Sequence, residues 1–268
     1  MKVLRDNGLY LAWLVALLGT VGLYFLGAIP DKLTWAPMIA LASMTVVLGV
    51  AAYFQDGRIK TYALPVLLIG AAFGAYRTVA GPAAGVREVS FAGLSYAGWA
   101  TLALLVASAL LALLPGERSV RRTQPDPALT LAAIIAVVAT LGSLYFSEVR
   151  HYVPCQLCWY QRTMMYPLAL LMTLGTARGD DVRRFTLPLA VIGFCVAVYH
   201  VAEEKFGFAP LGTCSVSGGV SCTTQWINWL GFITIPVLSL SAFTLILGLL
   251  ALPQRAARLR SAGVRELN

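Results

Sequence analysis

Residues 128–147 read ALTLAAIIAVVATLGSLYFS, an uncharged run that is long enough to cross the hydrocarbon core of a membrane as one helix. About 20 mostly apolar residues are needed for such a crossing. The rest of the chain contains seven further segments of this kind. The eight predicted spans are 9–27, 36–54, 61–80, 96–114, 128–147, 163–177, 185–202 and 230–252. They predict an all-α polytopic membrane protein whose eight transmembrane helices form two four-helix bundles.

The composition of the 268-residue chain supports this prediction. Hydrophobic residues make up 59% of it, charged residues make up 12%, and the mean hydropathy is +0.76. A soluble domain is typically about 45–50% apolar and about 25% charged. A core of this size cannot hide so large an apolar excess, and disordered chains are far more polar. The composition therefore excludes a water-soluble fold and intrinsic disorder.

The net charge of +8 comes from short basic clusters between the apolar segments. With the N-terminus inside, 14 of the 20 lysines and arginines fall in cytoplasmic segments and 6 fall on the outer side. Because cytoplasmic loops carry an excess of basic residues, we expect both termini in the cytoplasm and loops 148–162 and 203–229 outside. The basic residues form no single surface for a duplex, so we expect a lipid bilayer and no nucleic acid as partner.

A polar, proline-bearing connector at residues 115–127 divides the chain. We predict an N-terminal membrane region at 1–120 and a second region at 121–268, each with four helices. A faint repeat at an offset of 123 residues indicates that the first region is a degenerate duplicate, with chance agreement among apolar residues as the alternative. The aligned pairs are Tyr62-Ala-Leu-Pro65 with Phe185-Thr-Leu-Pro188, Ile69-Gly70 with Ile192-Gly193, and Tyr76-Arg77 with Tyr199-His200.

All five cysteines lie in the second region. Cys195 falls inside a predicted span, where we expect a buried and inert small hydrophobe. The other four fall in loops predicted to face an oxidising compartment, in which disulfides persist. The cysteine-free first region cannot carry out thiol chemistry, although it can scaffold, bind lipid or oligomerise. The four outer cysteines are Cys155, Cys158, Cys214 and Cys222.

The strongest local pattern is Pro154-Cys-Gln-Leu-Cys-Trp-Tyr-Gln-Arg162. Two thiols three residues apart can close a small ring and exchange reversibly, and a nearby cation or helix N-terminus lowers a thiol pKa. Arg162 lies four residues after Cys158, one helical turn further on the same face. The second pair, Cys214 and Cys222, lies in a Ser/Gly-rich loop that can present a disulfide to a soluble partner. We predict two redox-active pairs, with a four-cysteine zinc site or two static disulfides as alternatives.

Two segments resemble the DsbB/BdbC family of disulfide-bond formation proteins. The first is the CxxC segment with Arg162 and the following Met165-Tyr-Pro167, and the second runs from Cys222 to Pro236 as CTTQWINWLGFITIP. The resemblance covers roughly residues 128–252. It implies a four-helix bundle in a bacterial inner membrane that reoxidises a DsbA-like, thioredoxin-fold thiol oxidase. The electrons would pass to a membrane quinone, ubiquinone or menaquinone.

The resemblance also implies a role for each matching residue. Cys214 would form the mixed disulfide with the partner, and Cys222 would form a transient bond with Cys155. Cys158 would be the thiolate that faces the quinone. Arg162 matches the family's arginine that binds near the quinone ring, while its alternative role is to reach the headgroups as a surface cation.

Residues near the outer end of the seventh predicted helix complete the candidate site. His200 either lies beside the quinone and assists its protonation or is an interfacial histidine bonded to a carbonyl. We expect Glu203 and Glu204 to be solvated. Trp226, like its neighbours Trp159, Tyr160 and Trp229, fits an interfacial aromatic belt as well as the mouth of a quinone site, and we expect the belt for most of them.

Two departures from the family pattern stand out. The loop between Cys214 and Cys222 is short, unlike that of the proteobacterial branch, and the first four helices lie outside the usual family unit. A vitamin-K-epoxide-reductase-like enzyme is a second interpretation, but in that family the loop pair precedes the CxxC pair. A non-catalytic membrane scaffold with static disulfides is a third interpretation, from a different class.

Overall fold

The structure is a computed structural model that describes residues 2–25, 35–54, 58–80, 90–91, 94–113, 126–207 and 220–252. The chain divides into two compact units, Met1–Ser119 and Val120–Asn268. Apart from loops and one two-residue strand pair, the described residues are helical, so the predicted all-α class is confirmed. Each described helix overlaps one of the eight predicted apolar segments.

The first unit is a four-helix bundle among its described residues. Its helices pack in cyclic order, each against the next, and the fourth packs on the first. Leu41, Leu67 and Leu104 are fully buried between them. A short antiparallel pair, β1 (Ser90–Phe91) and β2 (Leu94–Ser95), precedes the last helix. The helices are α1 (Lys2–Phe25), α2 (Trp35–Phe54), α3 (Ile59–Ala80) and α4 (Tyr96–Leu113).

The second unit has the same cyclic packing order. Its core is built around Phe185, Leu168, Leu171 and Phe243. A π-helical turn, Tyr145–Val149, ends the first helix of this unit, and such turns occur often at functional sites. The helices are α5 (Pro127–Leu144), α6 (Gln156–Arg178), α7 (Arg183–Phe206) and α8 (Ile235–Ala251).

An acidic cap joins the beginnings of α5 and α7. The Asp126 carboxylate accepts a hydrogen bond from the Ala128 N–H at 3.0 Å, and Pro127 occupies a first-turn position that needs no N–H. The Arg183 guanidinium lies 2.7 Å from the same carboxylate. Burial acts to raise the pKa of Asp126, but the hydrogen bonds and charge of Arg183 together with the backbone N–H groups outweigh it and lower the pKa.

Two helix starts differ from the prediction for local reasons. α6 begins at Gln156, ahead of the predicted 163, because Cys155 caps it. α8 begins at Ile235, so the predicted start at 230 is wrong. Leu230 and Gly231 have positive φ angles of 55° and 78°, which no helix allows, and form a tight turn.

Three described helices are long and apolar enough to cross a membrane. Their qualifying windows are Ile59–Tyr76, Pro127–Val149 and Arg183–Phe206. Shorter apolar helices occupy Asn7–Val21, Ile39–Phe54, Gly98–Leu113 and Ile235–Ala251. The chain is therefore a membrane protein, and the full count of eight spans and the location of both termini stay predictions.

Candidate functional site

The CxxC pair forms the beginning of α6. Cys155 is the N-cap residue, in an extended conformation, and its sulfur accepts the Cys158 N–H at 3.4 Å. The two Sγ atoms are 3.0 Å apart and both cysteines are free thiols. A disulfide bond is about 2.05 Å long, so this pair is in its reduced state. The pair lies in the first turn of a helix, where the dipole favours negative charge.

The two thiols of this pair, which precede the predicted span 163–177, are electrostatically unequal. The Cys155 S–H donates to the Cys158 sulfur, and this hydrogen bond, together with burial, raises the pKa of Cys155. The same hydrogen bond lowers the pKa of Cys158; burial opposes this shift, while the Arg162 charge adds to it. Cys158 is therefore the thiol of the pair that ionises more readily, and Cys155 is the one that holds its proton more firmly.

His200 lies behind the pair, on α7. Its Nε2 is 3.5 Å from the Cys155 sulfur, and its Nδ1 is 3.0 Å from the Gln161 side-chain nitrogen. His200 is 1% exposed and Gln161 is 5% exposed. The geometry places the histidine against the thiol pair, in contact with Cys155, with Gln161 holding the far side of the ring.

Cys222 lies next to this group. It is disulfide-bonded, and its sulfur lies within 4.8 Å of both the Cys155 sulfur and a His200 ring nitrogen. A disulfide-bonded sulfur is not a thiolate and cannot serve as a thiolate ligand of zinc. With Cys222 in a disulfide, the group of Cys155, His200 and Cys222 therefore does not fit a tetrahedral zinc site. Cys214, the predicted second loop cysteine, lies outside the described residues.

A small cavity of about 20 Å³ with several polar side chains in its walls lies between the cysteines and the loop before α8, and we call it the cysteine chamber. Its walls include Cys155, His200 and Glu204. A second, larger cavity of about 480 Å³ opens on the other side, and we call it the apolar cavity. Its walls come from α5, α6 and α8 and include Ile134, Met165, Leu238 and Leu245. Small-molecule sites are typically about 300–1,000 Å³ and mostly apolar, so the apolar cavity suits a small hydrophobic ligand.

Arg162 provides the apolar cavity with a buried positive charge. Its side chain lies 4.8 Å from the Trp159 ring centroid, and its Nη2 donates to the Ser143 carbonyl at 3.1 Å. The residue is only 8% exposed, so it does not reach the headgroups as a surface cation does. The Tyr166 hydroxyl donates to the Ser143 hydroxyl at 3.2 Å and also lines the cavity. Polar donors thus converge on a mostly apolar space.

An aromatic stack borders the apolar cavity. The rings of Phe146 and Tyr152 stack at 6.0 Å, and those of Tyr152 and Trp226 stack at 5.2 Å. All three residues line the cavity. The sequence indicates an aromatic belt or a quinone mouth for Trp226 and does not point to Phe146 or Tyr152, because the π-helical turn that positions Phe146 has no clear sequence signature.

Cys158 lines both the cysteine chamber and the apolar cavity. Cys155 and His200 line the cysteine chamber but not the apolar cavity, while Arg162 lines the apolar cavity but not the chamber. The CxxC pair therefore forms the wall between a polar space next to the second cysteine pair and an apolar space open to a hydrophobic ligand.

Two expectations from the sequence are wrong. Cys195 is exposed on α7 instead of buried, because this face of the helix points away from the bundle core. Glu203 and Glu204 are not solvated: Glu203 is 4% exposed and the Glu204 side chain is 1% exposed. The α7 helix continues to Phe206 and thereby carries both carboxylates along the bundle.

Comparisons with known proteins agree on one family. The family model for Disulfide bond formation protein DsbB matches residues 125–253. The chain is 50% identical to Disulfide bond formation protein C of Bacillus subtilis over 116 residues. This aligned region covers 42% of this chain and 83% of that protein. It is 45% identical to a Probable disulfide formation protein of Deinococcus radiodurans over 149 residues. This aligned region covers 52% of this chain and 97% of that protein. No solved structure matches.

Proposed function

The chain belongs to the DsbB family of disulfide bond formation proteins, and from that premise we propose that it is a membrane thiol:quinone oxidoreductase. It reoxidises a DsbA-like, thioredoxin-fold thiol oxidase outside the cytoplasm and passes two electrons to a membrane quinone, either ubiquinone or menaquinone. The work of the chain is to connect an aqueous thiol with a lipid-soluble oxidant.

The observation that carries the proposal is the position of Cys158. Its sulfur is 3.0 Å from that of Cys155, and it lines both the cysteine chamber and the apolar cavity. A relay between water and lipid needs one thiol that both sides can reach. Free thiols at Cys155 and Cys158 also argue against the alternative of two static disulfides.

The proposed relay begins at the loop pair, with a bond between Cys214 and Cys222. A partner thiolate attacks Cys214, so that a mixed disulfide forms and Cys222 leaves as a thiolate. When the CxxC pair is oxidised, Cys222 then attacks Cys155, the bond between Cys222 and Cys155 forms, and Cys158 leaves as a thiolate. The second thiol of the partner attacks the mixed disulfide, so that the oxidised partner leaves and Cys214 is released as a thiolate. The short distance between the Cys155 and Cys222 sulfurs, within 4.8 Å, supports this exchange.

The residues of the apolar cavity fit a quinone. The quinone supplies the sink for two electrons and two protons when bound. Arg162 would donate to a carbonyl oxygen of its ring, since the guanidinium is a buried donor at the cavity wall. The Cys158 thiolate would lie beside the ring, and Phe146, Tyr152 and Trp226 would cover it from water.

His200 takes a different role in this proposal from the one expected beside the quinone. It is not among the residues that line the apolar cavity, and its Nε2 is 3.5 Å from the Cys155 sulfur. We assign it to the thiol pair, where it polarises the Cys155 sulfur during exchange. Its hydrogen bond with Gln161 keeps the ring in that orientation.

The same proposal includes the location of the site. The basic residues favour a bacterial inner membrane in which both termini are cytoplasmic and the cysteine loops face the extracytoplasmic side. In that arrangement the Cys214–Cys222 loop meets the soluble partner, and the apolar cavity lies within the bilayer. The N-terminal region 1–120 adds four membrane helices and no thiol.

A reconstituted electron-transfer assay tests the proposal. The full chain in lipid nanodiscs is mixed with a reduced thioredoxin-fold dithiol oxidase and a short-chain quinone, and quinone absorbance and partner thiols are followed together. We expect one quinone reduced for each dithiol oxidised. Cys158→Ser should reduce the rate to background, while the matched Cys195→Ser leaves it unchanged. Equal activity in the two variants, or outer cysteines that never change redox state, would refute the proposal.

A further inference from the structure

Glu204 is a buried carboxylate that the relay described above does not use. Its side chain is 1% exposed, at the end of α7. One carboxylate oxygen, Oε2, accepts the Thr234 hydroxyl at 2.7 Å. The other oxygen, Oε1, is buried and has no hydrogen-bond partner among the described residues. A buried carboxylate oxygen without a partner is costly, so its retention calls for an explanation.

The surroundings of Glu204 supply one. It lines the cysteine chamber together with Cys155, His200 and Cys222. The chamber volume of about 20 Å³ holds one water molecule, which needs roughly 10–15 Å³ and two to four polar partners. A water there would link the free Glu204 oxygen with the sulfurs that exchange.

We infer that Glu204 is the proton-transfer residue of the exchange between the two cysteine pairs, acting through the chamber water. The inference rests on the proposed function. In the closing step of the relay, Cys214 attacks Cys222 as a thiolate. The bond between Cys214 and Cys222 forms, and the bond between Cys222 and Cys155 breaks. Cys155 keeps the electron pair of the broken bond and takes a proton from Glu204, which regains one from solvent through the chamber water, so that protons and electrons balance.

The state of the cysteines matches the product of this step. Cys222 is disulfide-bonded, whereas Cys155 is a free thiol whose S–H donates to Cys158. Cys155 is the thiol of the CxxC pair that holds its proton. The residue is only 6% exposed, so bulk water does not deliver that proton directly. A proton donor inside the chamber removes this difficulty.

The neighbouring carboxylate provides a matched control. Glu203 precedes Glu204 on the same helix and is 4% exposed, but it is not among the residues that line the cysteine chamber. Glu203→Gln therefore makes the same chemical change at similar burial without altering the chamber.

The test measures exchange without quinone. The full chain is prepared with Cys155 bonded to Cys222, and a pH jump starts the exchange. Samples are then quenched in acid, and their free thiols are alkylated and counted by mass spectrometry. We expect Glu204→Gln to slow exchange at least about tenfold, since general acid–base catalysis contributes roughly 10²–10⁴-fold. Glu204→Asp should recover part of the rate, and Glu203→Gln should match the unaltered chain.

The pH profile separates a proton-transfer role from a structural one. We expect Glu204→Gln to change the pH dependence of the exchange rate, while Glu203→Gln leaves it unchanged. Thr234→Val keeps the carboxylate and removes the hydroxyl that holds it in place, so the exchange rate should fall; this variant serves if Glu204→Gln fails to fold. The titratable or charged groups that face Glu204 are Lys205, at 4.0 Å, and, across the chamber, Cys155, Cys158 and His200.

Two results would overturn the inference: an unchanged rate and pH profile in Glu204→Gln, or equal slowing in Glu203→Gln. A separate single-turnover measurement keeps the proposed function distinct. The chain with Cys155 and Cys158 reduced is mixed with quinone, and we expect Glu204→Gln to reduce it as fast as the unaltered chain. Failure of the unaltered chain in that measurement would refute the quinone role and leave the exchange result standing.

Discussion

The two units of the molecule share a packing plan and differ in what they bury. Each has four helices in the same cyclic order. The aligned Pro65 and Pro188 both lie inside the third helix of their unit, and the aligned Tyr62 and Phe185 are both buried. These agreements are what a duplication predicts, although an up-and-down bundle also has this packing order.

The buried polar residues distinguish the units. Among described residues of the first unit, these are Ser43 and Ser108, and each hydroxyl donates to a carbonyl of its own helix. The second unit buries Arg162, His200 and Glu203 as well. Ionisable groups are expensive at membrane depth, and two of these three, Arg162 and His200, belong to the candidate site. Among the described residues, the same bundle plan therefore encloses an almost wholly apolar core in the first unit and ionisable side chains in the second.

Loss of Cys222 should produce the largest effect, because the relay to the partner then has no entry. We expect Cys222→Ser to reduce partner-driven quinone reduction to background. When the CxxC pair is reduced in advance by long incubation with dithiothreitol, this variant should still reduce quinone in a single turnover. Both rates are measured by quinone absorbance, and loss of both would show that Cys222 is needed for more than the relay.

Removal of the Arg162 charge should have the next largest effect. We expect Arg162→Met to raise the KM for quinone about tenfold or more, since hydrogen bonds to charged groups contribute about 1.5–3 kcal/mol. Arg162→Lys should recover part of the affinity, because an ammonium keeps the charge without the planar donors. Arg77→Met makes the same chemical change in the first unit, at the position that aligns with His200, and it should leave KM unchanged. An equal rise in both variants would remove the distinction between the units.

The aligned glycines Gly70 and Gly193 test whether the two bundles share a packing requirement. A methyl group at Gly70 would meet Ala40 and Leu104, and one at Gly193 would meet the Phe243 ring. We expect each Gly→Ala substitution to lower the free energy of unfolding by about 1–3 kcal/mol, as overpacking does. Unfolding in detergent measures this, and activity at low temperature should fall in Gly193→Ala alone. Full stability in either variant would show that the helices move apart easily.

The cap at Asp126 should produce the smallest effect. We expect Asp126→Ala to lower the free energy of unfolding by about 1 kcal/mol, the usual value of a lost N-cap. The pKa of Asp126 is lower in the folded chain than in the unfolded chain. The contribution of its charged form to the free energy of unfolding is therefore fully present above the unfolded pKa of about 3.9, and it is lost as the pH falls through the folded pKa. Unfolding at pH 7 and pH 3 measures both, with Asp126→Asn as the control that keeps a capping side chain. A difference between Asp126→Ala and the unaltered chain that does not shrink at pH 3 would contradict this account.

Much of the candidate site could be predicted from local sequence, and the residues that were placed wrongly were misplaced for physical reasons. The CxxC pair and Arg162 lie within about the first two turns of α6, so their common position on this helix followed from spacing. His200, Glu203 and Glu204 were placed poorly, because their surroundings come from α6, from the loop before α8 and from Thr234, all distant in sequence. Cys195 was misplaced because a uniformly apolar helix has no polar face from which to tell its buried side.

Apolar runs, basic clusters and cysteine spacing were enough to predict the helical class, the membrane environment and the family. These properties are local, because hydrophobicity and thiol spacing act within one segment. The contacts among α5, α6, α7 and the Cys222 loop decided that Cys158 lies between a polar chamber and an apolar cavity, and that His200 faces a sulfur. Such contacts depend on how helices pack against each other, and no single segment specifies that packing.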